Sequence, residues 1–374
     1  MTMSGGENLG REQGGWRAEV LRTPGREREE CERQLVERGV PIPLTSRIVW
    51  ARARPSAGSW FLAVRDPADR CVGGFAIEVH RSRALPGQLL LRCERLGKSL
   101  PACTGRVAMQ ELAHLARRER RVLRVTIEVF ARDAEIRDRL AAELAAVGFR
   151  RLSVMRGYPR TISIDLAPDE EGILASFSRS TRQNIRAIGK LPVSVRPIED
   201  LALAARMDEL MRETLSRTGG EHRASDWATT IMLSHAEPGL SRLVGLFHDE
   251  LEGPAALLAF AWGCAHGDYA HYDAGASTRA TRIRIPLAYP LIWDLIRWAK
   301  AGGCQWFDLG GVTAGHHGSD DPVGGISDFK RCFSKRVVEV GQEWVLEPRA
   351  ALATLAHVVS AGAGWLPRVG RRSR

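Results

Sequence analysis

The chain has 374 residues, of which 44% are hydrophobic and 26% charged, so it can bury one large or two ordinary cores and is not expected to be disordered. Its formal net charge of +10 favours polyanionic partners such as nucleic acid, nucleotides or anionic lipid. Seven scattered cysteines without a C-x-x-C pair indicate buried thiols in a reducing cytoplasm, and argue against a disulfide framework or a zinc site. With no secretory signal and no apolar run of about 18 residues, we expect a soluble cytoplasmic protein.

The two ends of the chain differ from its middle. Residues 1–44 are polar and carry a run of glutamate and arginine over 26–33, which predicts a flexible start followed by a short exposed helix. Residues 348–374 begin small and apolar and end with four arginines, which predicts a C-terminal helix docked on the body with a basic end. The alternative for this tail is an interfacial helix that touches anionic lipid.

Between the ends, one order of elements occurs twice: strand, strand, strand, helix, strand, helix, strand. The first series occupies 60–64, 72–80, 89–96, 107–118, 123–130, 139–147 and 161–166. The second occupies 242–247, 255–262, 268–275, 287–301, 306–309, 326–333 and 337–346. Strands that alternate with helices predict a mixed sheet covered on its faces. We therefore expect a duplicated α/β fold, with domains at 45–166 and 167–347 and extra helices inserted at the start of the second.

Four short stretches carry a family resemblance: RLG at 95–97, SRSTRQNIR at 178–186, WFDLGG at 306–311 and GISDFKRCF at 325–333. In this order and spacing the sequence resembles the FemABX family of tandem GNAT-fold proteins, over residues 45–347 as a pattern of elements. The resemblance implies an α/β (α+β) fold with two tandem GNAT-like domains, each a mixed, mostly antiparallel sheet flanked by helices. It also implies transfer of an aminoacyl group from aminoacyl-tRNA to an amine of a peptidoglycan precursor or a small specialised metabolite, without a metal.

The candidate catalytic residues follow from that reaction, which needs positioning and stabilisation of a tetrahedral oxyanion. Lys330 resembles the family's active-site lysine and is the candidate oxyanion-stabilising cation, with Phe329 beside it in the substrate-binding set. The alternative is a surface lysine at a helix end. Asp308 and Asp273 lie at strand ends, where a carboxylate could accept a proton from the attacking amine. The alternative for Asp308 is that it caps the turn that follows it.

The candidate substrate-binding and tRNA-binding residues are basic. Spacing of three or four residues places the first group on one helical face, suited to phosphates, or else simply solvated: Arg179, Arg182, Arg186 and Lys190. Arg217 and Arg223 flank a loop that resembles the family's acceptor-binding loop, although Gly220 stands where the family usually has an aromatic residue. Arg95 occupies an Arg/Gly turn of the first repeat.

The donor is expected to be aminoacyl-tRNA, as a co-substrate and with no cofactor. GNAT enzymes hold the pyrophosphate of coenzyme A on a glycine-rich loop at a helix start, and neither 95–106 nor 277–286 has that pattern. One alternative is an acyl-CoA-dependent N-acyltransferase that binds pyrophosphate through Arg279, Arg282 and Arg284. A second is a non-catalytic RNA-binding protein on the same scaffold. The histidine-rich loop 316–321 lacks a third ligand at metal-site spacing, so no metal is expected.

Overall fold

The computed structural model describes residues 15–54, 58–218, 221–321 and 324–365, with the side chains of 360–365 excepted. These residues form two compact units that alternate along the chain. The first comprises the described parts of 1–40, 55–156 and 342–374, and the second comprises 41–54 and the described parts of 157–341. Among the described helices, none combines the length and apolar character needed to cross a membrane.

The chain forms strands and helices in close agreement with the duplicated pattern. The strands are β1 (Arg17–Leu21), β2 (Gly58–Arg65), β3 (Cys71–Arg81), β4 (Leu89–Leu96), β5 (Val122–Phe130), β6 (Arg150–Arg151), β7 (Arg160–Asp165), β8 (Val193–Pro197), β9 (Ser241–His248), β10 (Leu257–Ala265), β11 (Tyr269–Ser277), β12 (Trp306–Gly311), β13 (Val337–Glu339) and β14 (Gly341–Leu346). The helices are α1 (Arg26–Glu37), α2 (Ile48–Ala53), α3 (Gly105–Arg118), α4 (Ala134–Ala146), α5 (Glu170–Ser176), α6 (Arg179–Ala187), α7 (Leu203–Thr218), α8 (Trp227–Ala236), α9 (Ala288–Ala301), α10 (Gly324–Arg331) and α11 (Ala350–Trp365).

Each unit is built on a seven-stranded mixed sheet. The first sheet has the order β1-β2-β3-β4-β5-β14-β6, and the second has the order β13-β7-β12-β11-β10-β9-β8. Each sheet contains a parallel pair beside antiparallel neighbours: β4 with β5 in the first and β11 with β12 in the second. The fold class expected from the sequence, two mixed sheets flanked by helices, is therefore confirmed.

The final strand of each series belongs to the other sheet, which corrects the sequence-based grouping. β7 was expected to close the first series, yet it lies between β12 and β13, with Ile164 opposite Phe307 and Thr161 opposite Val338. β14 was expected to close the second series, yet it lies in the first sheet beside β5 and β6. An alternating pattern predicts a strand but not its neighbour, because pairing partners are set by tertiary contacts.

The N-terminal segment also differs from expectation. Residues 17–21 form an edge strand that pairs antiparallel with β2, where no strand was predicted. The helix predicted from the glutamate and arginine run exists as α1, but it is not simply exposed, because Arg28, Cys31 and Leu35 are buried along it. Charged residues dominate the composition of α1, so the narrow buried stripe formed by these three residues could not be recognised from the sequence.

The second sheet carries a hydrophobic core on each face. On one face α9 buries Leu291, Ile292, Leu295 and Ile296 against the sheet. On the other, α7 and α8 contribute a second cluster that includes Met207, Leu210, Trp227 and Ile231. Covered on both sides, β10 is buried at all nine positions and reads as an uninterrupted apolar run. The neighbouring strands β11 and β12 are thereby held on a rigid, central part of the unit.

Candidate active site

The candidate site lies where the parallel strands β11 and β12 separate. Over these fully described strands, pairing runs from Tyr269 opposite Trp306 to His271 opposite Asp308 and stops there. β11 continues to Ser277, whereas β12 is irregular between Asp308 and Gly311, where Gly310 has a φ of +81° that is readily adopted only by glycine. Asp273, two residues after His271, stands at the β-bulge where the register of β11 against β10 shifts.

Asp308 is fully buried, and hydrogen bonds engage both of its carboxylate oxygens. Tyr158 donates its phenolic hydrogen to Oδ2 at 2.7 Å, and the Gly310 N–H donates to Oδ1 at 2.6 Å. The Thr161 hydroxyl also donates to Oδ1. The carboxylate thus fixes the turn at the end of β12. This geometry favours the alternative interpretation, in which Asp308 caps the glycine turn, over proton transfer with a substrate.

Lys330 is buried on α10, with 8% of its surface exposed, so the alternative of a surface lysine is wrong. Its Nζ donates to the carbonyl oxygen of Gly311 at 2.7 Å. Burial lowers the pKa of Lys330 to about 8, and the Asp308 carboxylate opposes this shift. At neutral pH the side chain therefore remains mostly a cation, held in a largely dehydrated site where a charge acts strongly.

The glycines of the turn make room for this ammonium. A Cβ at Gly310 would lie 3.1 Å from Lys330 Nζ, and one at Gly311 would lie 2.6 Å from Cβ of Tyr158. The two glycines of WFDLGG thus have a local reason, since side chains at these two positions would displace Lys330 or Tyr158.

Phe329 is used in packing. Its ring stacks on Tyr289 with a centroid distance of 5.4 Å and meets Phe333 edge to face at 5.6 Å. These contacts hold α10 against α9. The residue stays a predicted substrate-binding residue, but its described ring contacts are to the core.

Helix α6, which carries the basic motif, is joined directly to the end of α10. The Ser178 N–H donates to the Cys332 carbonyl at 2.9 Å, and the Thr181 hydroxyl donates to the same oxygen at 3.2 Å. Ser178 also caps α6 by accepting from the Thr181 N–H at 3.2 Å. The basic helix and the lysine helix are therefore one local assembly.

The predicted basic stripe is only partly realised. Arg179 and Arg186 are exposed on α6, whereas Arg182 donates to the carbonyls of Ala175 and Phe177 at 3.0 and 2.6 Å. Arg182 therefore caps the end of α5. Lys190 lies in the 3-10 turn after α6, not on the same helix, so the four residues do not form one helical face.

The remaining predicted basic residues lie in different places. Arg217 is exposed at the end of α7, where burial of its neighbourhood and the nearby Arg279 guanidinium lower its pKa. Arg223 is exposed and donates to Glu221 at 3.2 Å. Gly220 lies outside the described residues. Arg95 lies on β4 of the first unit, with a φ of +53° and its guanidinium 4.5 Å from the centre of the Phe130 ring.

Asp273 is the accessible aspartate, with 39% of its side chain exposed. Its Oδ1 lies 3.0 Å from Nε2 of His271, whose Nδ1 lies 2.7 Å from Nε2 of His266. The Leu44 N–H donates to Nδ1 of His266 at 3.3 Å. Sequence reasoning missed both histidines. The spacing of His271 and Asp273 on one strand was the available signal, whereas Leu44 is 222 positions away from His266.

A metal site and a pyrophosphate site are the other ligand sites weighed from the sequence. Within the four described ranges, no group of three or more histidine, cysteine, aspartate or glutamate side chains could hold a metal ion. The segment before α9 exposes the three arginines weighed for pyrophosphate, Arg279, Arg282 and Arg284. The Arg279 backbone N–H donates to Glu213 at 2.8 Å, which ties this segment to α7.

Comparison with known proteins identifies the fold. Residues 175–331 match the family model of an acetyltransferase (GNAT) domain. The solved structure of FemX is similar with a TM-score of 0.70 and 15% identity, over 90% of this chain and 99% of that one. The chain has a FemX-like GNAT fold. L-PGS from Bacillus licheniformis is similar with a TM-score of 0.52 and 14% identity, over 95% of this chain and 100% of that one. No curated protein matches in sequence. The FemABX resemblance is confirmed at the level of the fold.

Proposed function

We propose that this chain is a cytoplasmic acyltransferase that moves an aminoacyl group from aminoacyl-tRNA to an amine of a peptidoglycan precursor or a small specialised metabolite. The observation that carries the proposal is the buried Lys330 ammonium, held 2.7 Å from the Gly311 carbonyl at the point where β11 and β12 separate. A fixed, buried cation in a GNAT fold suits acyl transfer, in which negative charge develops on one oxygen.

The proposed reaction exchanges an ester for an amide. The neutral amine attacks the ester carbonyl, whose oxygen becomes an oxyanion that Lys330 stabilises. Asp273 receives the proton that the new ammonium loses. The intermediate then collapses, the bond to the ribose oxygen breaks, and that oxygen takes a proton as the tRNA leaves. The ester supplies the activation, so positioning and charge stabilisation are sufficient for the protein.

The tRNA donor is supported by charge. The chain carries a formal net charge of +10, and Arg179 and Arg186 are exposed on the helix that is bonded to the end of α10. Guanidinium groups bind phosphate oxygens in a bidentate manner, so this helix suits an RNA backbone near the reacting ester.

An acyl-CoA-dependent N-acyltransferase is the second candidate. It is favoured by the match of residues 175–331 to an acetyltransferase domain and by the exposed Arg279, Arg282 and Arg284 ahead of α9. Pyrophosphate binding at a helix start is a common use of such a segment. The two candidates share the oxyanion chemistry and differ in the donor.

Equilibrium binding at one near-physiological salt concentration distinguishes the donors. The purified chain is titrated with total charged tRNA, with the same tRNA after deacylation, and with acetyl-CoA. Because a basic protein binds any RNA, only the difference between charged and deacylated tRNA is informative. We expect tighter binding of charged tRNA and none of acetyl-CoA. Binding of acetyl-CoA with no effect of charging would replace the first proposal by the second, and equal binding of both RNAs alone would indicate a non-catalytic RNA-binding protein.

A further inference from the structure

We propose that His266 and His271 are positioning residues, which orient the Asp273 carboxylate as the proton acceptor of the reaction. This inference rests on the proposed function for its catalytic meaning, but the arrangement itself stands on geometry. Three side chains and one backbone amide form a continuous line of hydrogen bonds, at distances of 3.3, 2.7 and 3.0 Å from Leu44 to Asp273.

The direction of these hydrogen bonds follows from the first donor. A backbone N–H can only donate, so Nδ1 of His266 accepts from Leu44 and its ring proton lies on Nε2. That Nε2–H donates to Nδ1 of His271, which places the second ring's proton on Nε2. The His271 Nε2–H then donates to Oδ1 of Asp273. One backbone group thereby selects the same neutral tautomer in both imidazoles.

Burial and ring packing keep this line fixed. His266 and His271 are 2% and 5% exposed, so solvent has little access to replace their partners. The His266 ring stacks on Tyr269 at 5.0 Å between centroids, and Tyr269 stacks on Trp306 of the adjacent strand at 4.6 Å. The imidazoles are therefore held by both parallel strands of the site.

The line ends at the gap between those strands. His271 lies opposite Asp308 in the last paired position, and Asp273 lies two residues farther along β11, with 39% of its side chain exposed. The Tyr272 carbonyl oxygen, one residue before Asp273, is 3.7 Å from the Cβ position of Gly310, which is itself 3.1 Å from Lys330 Nζ. The Lys330 ammonium, carried by α10, and the backbone of β11 one residue before Asp273 thus lie beside the same glycine of β12.

This arrangement assigns different roles to the two aspartates. Asp308 is fully buried and fixes the backbone at Gly310, whereas Asp273 is exposed to solvent and is oriented by the neutral imidazole of His271. A carboxylate whose direction is fixed loses less freedom when it takes a proton from an incoming ammonium. The effect of the histidines should therefore fall on kcat rather than on substrate binding.

Two substitutions at His271 separate positioning from structure. In His271→Gln the terminal amide reaches the place of Nε2 and can still donate to Asp273. In His271→Asn it reaches only the place of Nδ1 and can still accept from His266. Each variant keeps one of the ring's two hydrogen bonds, so their unfolding midpoints should be similar. We expect kcat to fall about 10- to 100-fold in His271→Asn, with KM within about twofold, and to be largely rescued in His271→Gln.

The assay follows the transfer of label from mixed labelled aminoacyl-tRNA to a panel of amine acceptors. His235→Asn, on the exposed side of α8, is the control and should match the wild type. If the wild type transfers and His271→Asn has the same kcat as His271→Gln, the positioning role is overturned while the proposed function stands.

A spectroscopic measurement tests the same inference without any substrate. In the full chain labelled with ¹⁵N-histidine, ring nitrogen shifts at pH 7 should show both residues as the neutral Nε2–H tautomer. In His266→Asn, His271 should lose that single-tautomer signature. An Nδ1–H tautomer at His271 in the wild type would overturn the proposal. Absence of transfer from every donor, together with the expected tautomers, would instead contradict the proposed function and leave the geometry intact.

Discussion

Replacement of Lys330 by methionine should abolish most of the activity and leave the fold nearly unchanged. Methionine retains much of the length of lysine but has no charge. Loss of one oxyanion-stabilising group typically lowers kcat by about 10²- to 10³-fold, or about 3–4 kcal/mol. We expect a loss of that size in Lys330→Met, with a small change in KM.

The effect on stability is smaller because two contributions oppose each other. The pKa of Lys330 falls from 10.5 to about 8 in the folded chain, which costs about 3 kcal/mol of folding free energy while the side chain is charged at neutral pH. Methionine removes that cost. It also leaves the Gly311 carbonyl without its 2.7 Å hydrogen bond, which costs about 1–3 kcal/mol. The free energy of unfolding should therefore change by no more than about 2 kcal/mol.

The measurement combines label transfer from mixed aminoacyl-tRNA with unfolding in urea. Lys300→Met is the matched control, because its Nζ also donates to carbonyls, those of Leu166 and Pro168 at 2.9 and 2.7 Å, but lies on α9 outside the site. It should keep wild-type kcat and lose stability. If Lys330→Met transfers within about threefold of the wild type, the oxyanion role of Lys330 is refuted.

Three further predictions follow from the same geometry. Because Lys330 must be protonated to stabilise an oxyanion, kcat/KM should fall as the pH rises through about 8. The pKa of Lys330 is lower in the folded chain than its unfolded value of 10.5. The free energy of unfolding measured in urea should therefore rise as the pH increases from about 8 to 10.5. Asp308→Asn should lower the free energy of unfolding by about 1–3 kcal/mol, since its amide faces donors, whereas Asp273→Asn should unfold like the wild type yet transfer poorly. In filter binding, Arg186→Gln should reduce the slope of log K against log salt concentration by about 0.7–0.9, for charged and deacylated tRNA alike. Arg182→Gln should instead lower the melting temperature, because it removes the hydrogen bonds that cap the end of α5. An unchanged slope, or equal stability of the two aspartate variants, would contradict these assignments.

The elements that could be predicted from the sequence are those with a strong local signal. α9 was expected over 287–301 and spans Ala288–Ala301, because its apolar residues recur at helical spacing. β10 was expected over 255–262 and spans Leu257–Ala265, because it is apolar throughout. The exchange of β7 and β14 between the sheets could not be predicted, because the residues of a strand do not by themselves specify which strand it will pair with.

The same limit applies to individual side chains of the site, because residues that look equivalent in the sequence have different surroundings in the structure. Asp308 and Asp273 each precede a glycine by two residues at the end of a strand, so the sequence gives them equal standing. Their difference arises from neighbours that are distant in sequence: Tyr158 and Thr161 seal Asp308, 150 and 147 positions away. The sequence likewise does not distinguish Arg182 from Arg186, but only Arg182 donates hydrogen bonds to the carbonyl oxygens at the end of α5.

The contacts that distinguish these residues also explain how the site tolerates the buried charge of Lys330. Lys330 is costly to bury as a cation, and the fold offsets this with the Gly311 carbonyl and the nearby Asp308 carboxylate. Asp308 in turn is held in its orientation by three donors, the Gly310 N–H and the hydroxyls of Tyr158 and Thr161. An aspartate engaged in this way is not placed to exchange protons with a substrate. For the proposed reaction, Asp273 is therefore the better candidate proton acceptor of the two aspartates weighed from the sequence, because its side chain is exposed.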